Sequence, residues 1–289
     1  MPNAGEVGER VTYLIASYNR GRCVGACLES VRRQTNDDWL AIVVDDASTD
    51  ESLSAIRPFV DERIRLVVHP RNIGYIATLK RLIAEASTDI VAILDADDAI
   101  APEATEQLLA AYATHPSSGF VYSRYAIYDA TLSHGAGDYG SAIPDGRTAM
   151  VDGVVGAIRS FRRSAYARTP GLDDTMLYAE DRDLVYKLEE VTRPVFIDAV
   201  LYRYRDLPDS QSHDPRKRAL GARNTWRARR AALQRRKISG IMRASFELHA
   251  LADYVAFRWP RPPMVSFIAR RVAGAARVLC RRYRLRLPS

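Results

Sequence analysis

VAILDADD, residues 91–98, passes from four apolar residues into three carboxylates, Asp95, Asp97 and Asp98. The apolar part reads as a strand buried on both faces, the kind found in parallel α/β sheets. Residues two apart on a strand share a face, so Asp95 and Asp97 are expected side by side, with Asp98 opening the loop beyond. Ligands of open α/β sheets sit outside the carboxyl ends of the strands, where this triplet falls. Hard oxygens clustered there suit Mn²⁺ or Mg²⁺, the remaining positions being filled by water and phosphate. The residue types leave a second reading open, an acidic turn capping the helix that Pro102 begins.

Outward from this stretch the same alternation recurs. From Val11 the chain reads VTYLIA, a helical 22–34, WLAIVV, 50–60, RIRLVV, 74–86, DIVAIL and 102–113, which is βαβαβαβα. The expected fold is α/β, a Rossmann-like, mainly parallel sheet flanked by helices, with a basic helical C-terminal extension. Residues 130–147 have turn composition and are expected to be a mobile surface loop. A strand around 154–161, a helix at 180–190 and the strand VFIDAVLYRYR follow. This gives one main domain at 10–214, with halves 10–115 and 116–214, and an extension at 215–289.

The chain has 289 residues, 47% hydrophobic and 27% charged, enough for a full core and incompatible with disorder throughout. No run approaches the roughly eighteen apolar residues of a membrane span, and MPNAGEVGER lacks the marks of a signal peptide, so the expected location is cytoplasmic. Cys23 and Cys27 lie one helical turn apart and Cys280 is remote; reduced thiols are expected, a metal pair from the first two being a minor alternative. The net charge of +7 conceals an asymmetry. Residues 1–214 carry 22 Lys and Arg against 33 Asp and Glu, net −11, and 215–289 carry 20 against 2, net +18. An acidic body and a basic tail have different partners.

Three further stretches carry chemistry. YLIASYNR ends a strand in the small residues Ala16 and Ser17, where a base can approach the backbone, followed by Tyr18, which can serve the ligand or pack on the sheet. IVVDDASTD ends a strand in Asp45 and Asp46; an acidic side chain after an early strand accepts hydrogen bonds from a nucleoside, whereas Ser48 and Asp50 suit helix caps. LYAEDRDL, 177–184, opens a helix with Glu180, Asp181 and Asp183, either working carboxylates or the acidic enrichment that a helix N-terminus favours.

In order and spacing, SYNR, VVDDASTD, NIG at 72–74, AILDADD and GAIRSFRRSAYARTPGLDDTMLYAEDRDL resemble the family 2 glycosyltransferases of GT-A fold, from about Val11 to Arg205. The resemblance implies transfer of a sugar from a nucleotide-diphosphate donor to a hydroxyl acceptor, with inversion. It implies Asp46 at the base, with Ala16 and Tyr18 in the donor pocket, Asp95 and Asp97 as the metal-binding pair, and Asp181 as the catalytic base. Glu180 beside it suits orientation of acceptor hydroxyls. A cation at Asp97, supported by Asp95, neutralises the leaving diphosphate, and a carboxylate about 3 Å from the acceptor hydroxyl gives general-base catalysis worth roughly 10²- to 10⁴-fold. One such displacement inverts the anomeric carbon.

The chain also departs from the family. Thr78, Leu79 and Lys80 stand where Ala-Arg-Asn is frequent; Lys80 either neutralises a phosphate or lines a solvated helix face. Where a His often follows the last strand, this chain has Arg205 and then His213, candidates for the pyrophosphate when the loop DLPDSQSH closes, a solvated His being the alternative. The QxxRW motif of processive synthases is absent after Asp181, which implies one sugar per encounter.

The tail opens with PRKRALGARNTWRARRAALQRRK, ten basic residues and no acidic one, continues through a helical 240–257, and is interrupted by WPRPP. Over 264–283, Val265, Ile268, Val272, Leu279 and Tyr283 form one stripe, opposite Arg270, Arg277, Arg281 and Arg284. This composition suits a helix on an anionic membrane, holding the enzyme peripherally at the inner face of the cell membrane beside a lipid-linked or glycan acceptor. Packing on the catalytic domain is the alternative. Nucleic acid is set aside for want of a zinc motif or aromatic platform. Two other function classes remain open, a non-catalytic sugar-nucleotide-binding or membrane-tethering protein and a nucleotidyltransferase, as does the donor base, UDP, GDP or dTDP.

Overall fold

A computed structural model describes residues 9–152, 154–156, 158–208 and 213–258, with Val278 and Cys280. The chain forms two compact units, Met1–Ala142 with Val155–Arg168 and Arg193–Asp206, and Ile143–Val154 with Thr169–Thr192 and Leu207–Ser289.

The first unit follows the alternation read from the sequence: β1 (Val11–Ser17), α1 (Gly21–Arg32), β2 (Trp39–Asp45), α2 (Ser52–Ile56) with a 3₁₀ turn at Arg57–Phe59, β3 (Ile64–Val68), α3 (Tyr75–Glu85), β4 (Ile90–Ile93), β5 (Ala99–Ile100) and α4 (Ala104–Thr114). It is completed by β6 (Phe120–Tyr128), β7 (Gly135–Tyr139), β8 (Arg159–Arg162), α5 (Arg163–Tyr166) and β9 (Pro194–Arg205). The sheet order is β3-β2-β1-β4-β8-β6-β9-β5, with β7 paired to β6. β3, β2, β1 and β4 are mutually parallel. Beyond β4 the sheet is mixed: β8 runs antiparallel to β4 and β6, and β9 runs parallel to β6.

Three local expectations change. Residues 130–147 contain β7, because Gly135–Tyr139 finds an open edge of β6. The strand expected around 154–161 starts at Arg159. β4 ends at Ile93, and the Asp98 amide donates to the Asp95 carbonyl at 3.0 Å, so Asp95–Asp98 is a turn and strand alternation does not set the directions of its carboxylates.

The parallel half buries a continuous apolar set. Val11, Tyr13 and Ile15 of β1 meet Val24, Cys27, Leu28 and Val31 of α1 and Leu108 and Tyr112 of α4. The α1 residues recur at helical spacing, so one face is buried, each large aliphatic side chain contributing about 1.5–3 kcal/mol. Polar tips inside this core are paired, Tyr13 with Thr105 at 2.9 Å and Tyr112 with Ser160 at 3.1 Å.

The second unit carries α6 (Glu180–Leu188), α7 (Pro215–Arg235) and α8 (Gly240–Arg258), with α7 against both of the others. Asp214 caps α7 by accepting from the Arg216 and Lys217 amides, and Pro215 takes the first helical position. A Cβ on Gly221 would lie 2.8 Å from the Tyr178 carbonyl oxygen, so glycine permits this approach of α7. Arg235 and Arg236 are bound to Glu190 and Glu189 just after α6. The first helix of the basic tail is thus partly a packing element. The stripe expected over 264–283 lies outside the described residues. Among the described residues no helix is long and apolar enough to cross a membrane.

Candidate active site

The parallel strands β1, β2 and β4 end at one edge of the first unit, and three motif loops emerge there. Two of them are sewn together. Asp45 accepts from the Ser48 amide and hydroxyl, Ser48 Oγ accepts from the Asn19 amide, and Asn19 Oδ1 accepts from the Thr49 amide, at 2.6–2.9 Å. Asp50 accepts from the Gly21 amide at the start of α1 and from Ser52 at the start of α2. Asn19 and Ala47 sit at positive φ, 52° and 61°, held there by these bonds. The polar residues of SYNR and DASTD therefore shape the two turns; Ala16, half-buried, lies in the last part of β1, and Tyr18, 45% exposed, follows its end.

Asp46 is 3% exposed and organises the loop that follows β3. It accepts from His69 Nδ1 and the Ile73 amide on one oxygen and from the Gly74 amide on the other, at 2.8–2.9 Å. Gly74, at φ 89°, opens α3 where an L side chain would be strained. Lys80 is half-buried about one and a half turns into that helix.

The third loop holds the acidic cluster. Asp98 is buried with both oxygens engaged: Oδ1 accepts from the Arg205 amide at 2.7 Å and Oδ2 from the Tyr202 hydroxyl at 2.7 Å. Burial, then repulsion from Asp95 and Asp97, pushes its carboxyl well above the ordinary range. Asp95 accepts from Tyr75 at 3.0 Å and lies 3.9 Å from Arg159, which the β4–β8 register sets opposite Ile93. Asp97 accepts from Arg20 Nε at 2.9 Å; burial and then repulsion from Asp95 raise its pKa. Arg205 braces the turn from behind, Nε to the Asp97 carbonyl at 2.6 Å and Nη1 to the Ala130 carbonyl at 2.7 Å. It ends β9 and is buried.

Two neighbouring hard carboxylates, with burial and then the charge of Asp95 raising Asp97, fit a divalent cation, which relieves that repulsion. Among the described residues no group of three or more His, Cys, Asp and Glu side chains is arranged to hold a metal ion, so Asp95 and Asp97 would supply the protein oxygens and solvent and phosphate the rest. Cys27 Sγ lies 3.6 Å from the Asp95 carbonyl oxygen, and burial, then the three aspartates, pushes its thiol up. None of the three cysteines is in a disulfide.

In the second unit, Tyr178 at φ 63° turns the chain into α6, whose first turn carries Glu180, Asp181 and Asp183. Asp183 is buried against Lys187 Nζ at 2.5 Å, and that amine also donates to the Gly171 carbonyl. Burial raises the Asp183 pKa against that pairing. Asp181 is half-buried, one oxygen accepting from the Arg182 amide at 2.7 Å, and Glu180 is half-buried beside it. His213 is exposed, and residues 209–212 of its loop lie outside the described residues.

Residues 12–169, more than half of the chain, match the model of glycosyl transferase family 2. The chain belongs to that family. This family 2 glycosyltransferase is 27% identical over 209 residues to the candidate glycosyltransferase EpsE of Bacillus subtilis, covering 70% of the chain and 75% of EpsE. It spans only 28–30% of the length of three other curated relatives, among them chondroitin synthase of Escherichia coli. Its fold is that of S. aureus TarS bound to UDP-GlcNAc, at TM-score 0.61 and 14% identity over 94% of this chain and 90% of that one. It is also that of the mannosyltransferase PcManGT of Pyrobaculum calidifontis, in complex with GDP-Man and Mn²⁺, at TM-score 0.62 and 20% identity over 93% and 74%. The GT-A fold expected from the ordered motifs is therefore the fold of this glycosyltransferase.

Sequence reading missed Arg20, Tyr75, Arg159 and Tyr202 around the acidic cluster and His69 under Asp46. Arg20 and Arg159 lie inside the quoted motifs, but only the sheet order β1-β4-β8 brings them to the aspartates.

Proposed function

We propose that this glycosyltransferase moves one sugar per encounter from a nucleotide-diphosphate donor to a hydroxyl acceptor with inversion, aided by a divalent cation. The observation that carries the proposal is the pair Asp95 and Asp97 at the carboxyl edge of the parallel half of the sheet, with Asp97 raised by burial and by its neighbour. A cation held by the two carboxylates would supply charge stabilisation for the departing diphosphate. The loops at Ala16–Tyr18 and Asp46–Gly74 are the proposed nucleoside cradle: Asp46, already fixed by three donors, keeps one lone pair of Oδ2 for the base. Lys80 is the proposed phosphate-side cation, with His213 a further candidate, and Arg205 serves the site through the turn it braces.

Asp181 is the proposed general base, on the motif match and its half-exposed carboxylate in the first turn of α6; Glu180 orients the acceptor. One activated hydroxyl in a single displacement gives inversion. The acceptor is a lipid-linked sugar or a growing glycan, and the basic 264–283 segment holds the enzyme at the cytoplasmic face of an anionic membrane, which flotation with phosphatidylglycerol vesicles tests. The reaction is tested by product anomeric configuration and by Asp181→Asn. Loss of transfer by about 10² or more with donor affinity kept supports the assignment; a variant that transfers at the wild-type rate overturns it.

A further inference from the structure

The acidic cluster is ringed by cations of its own. Arg20 lies on Asp97, Arg159 faces Asp95, and Arg205 braces the turn that carries Asp98. These guanidiniums differ in freedom. Arg205 is buried and Arg159 14% exposed, whereas the Arg20 and Asp97 side chains are 25% and 20% exposed. Arg20 is also tied to the fold independently of its guanidinium, because its amide donates to Ser52 Oγ at 2.8 Å.

We infer that Arg20 is an exchangeable counterion, which holds Asp97 until a divalent cation displaces it and then turns to the diphosphate of the donor. The inference rests on the proposed cation role of Asp97. Arg20 Nε stands 2.9 Å from Asp97 Oδ2, on an oxygen that a divalent cation would need. Two cations on one carboxylate oxygen repel at close range, and the doubly charged one outcompetes the guanidinium. Nη1 is bound to the Asn19 carbonyl at 3.1 Å, a contact open to exchange at a partly exposed site. A displaced guanidinium next to the cation meets the anion that completes the cation's shell, and its planar fork matches phosphate oxygens. Arg20 thereby lowers intrinsic metal affinity and raises affinity for the metal-bound nucleotide, so the cation binds best together with the donor.

The test measures two ligands on the full chain. Mn²⁺ alone is titrated by electron paramagnetic resonance, and UDP and GDP are titrated by calorimetry at saturating Mn²⁺, for wild type, Arg20→Gln, Arg20→Lys and Asp97→Asn. Arg20→Gln is expected to bind Mn²⁺ roughly three- to tenfold more tightly and the preferred nucleotide about tenfold more weakly. Arg20→Lys, which keeps the charge without the fork, is expected to restore wild-type Mn²⁺ affinity and only part of the nucleotide affinity. Unchanged or weaker Mn²⁺ binding in Arg20→Gln overturns the exchange while leaving the cation role of Asp97 in place. Absence of Mn²⁺ binding in both wild type and Arg20→Gln removes the cation role and the exchange with it. Mn²⁺ binding lost only in Asp97→Asn, with opposite signs for the two ligands in Arg20→Gln, supports both.

Discussion

Removing Arg236 should be one of the most destabilising single changes in the second unit. Its side chain is 3% exposed and joins several segments: Nε to Glu190 at 3.0 Å, Nη1 to Thr148 at 2.8 Å and Glu189 at 3.2 Å, and Nη2 to the Tyr186 carbonyl at 2.9 Å. Glu189 is itself 1% exposed and also accepts from the Thr148 hydroxyl and the Ala149 amide. Burial raises the Glu189 pKa even with Arg236 beside it, so desolvation outweighs the attraction within the pair. In Arg236→Met the carboxylate stays buried without its cation, which costs about 3–5 kcal/mol. In Arg236→Met/Glu189→Met both charges go together, and the loss should fall to about 1 kcal/mol, a coupling of at least roughly 2 kcal/mol. The sign with pH follows. Without Arg236 the Glu189 pKa rises further, protonation neutralises the orphan, and the penalty of the single variant shrinks as pH falls from 8 towards 5. Urea denaturation of the full chain, followed by circular dichroism at both pH values, measures these quantities. Additive single and double variants, or a penalty that grows at lower pH, would refute the reasoning.

Two further outcomes follow from buried polar contacts. Tyr202→Phe removes the hydroxyl that donates to Asp98 at 2.7 Å and accepts from the Asp95 amide at 3.2 Å; a loss of about 2–3 kcal/mol is expected in chemical denaturation, and a loss under about 0.5 kcal/mol would remove Tyr202 as the brace of the acidic turn. Burial opposes ionisation of Asp89, but the Ser164 amide and hydroxyl and Arg162 outweigh it and depress the pKa, and the Arg216 and Lys217 amides depress Asp214. Depressed carboxylates stabilise above their unfolded value, near 4, and that stability is lost as pH falls through the folded values, so the urea midpoint should drop below pH 4 and drop less in Asp89→Asn.

β1, β2 and β4 were readable because they are buried at nearly every position: VTYLIA and WLAIVV carry no alternation to confuse with a helix, and α1 repeats its apolar residues at helical spacing. The mixed half was less so. β7 is exposed along its length and exists because β6 offers it an edge, a tertiary fact that the Gly- and Asp-containing 130–147 stretch does not encode. The aspartates of the cluster were found by residue type, but their directions come from a turn beyond Ile93. Their partners arrive from sequence positions as distant as Arg20, Arg159 and Tyr202, which no local spacing connects. Asp46 was read for its chemistry toward a nucleoside, while its bonds to His69, Ile73 and Gly74 depend on where β3 ends.

The most direct measurement is thermal denaturation of wild type and Asp97→Asn with UDP-, GDP- and dTDP-sugars, each with and without Mn²⁺. At about 100 times its dissociation constant a bound donor stabilises by roughly 2.7 kcal/mol. One nucleotide class is expected to raise the wild-type midpoint in the presence of Mn²⁺ and to leave Asp97→Asn unmoved. Stabilisation that persists equally in Asp97→Asn, or a wild type that responds to no sugar nucleotide, would contradict donor binding through a cation at Asp97.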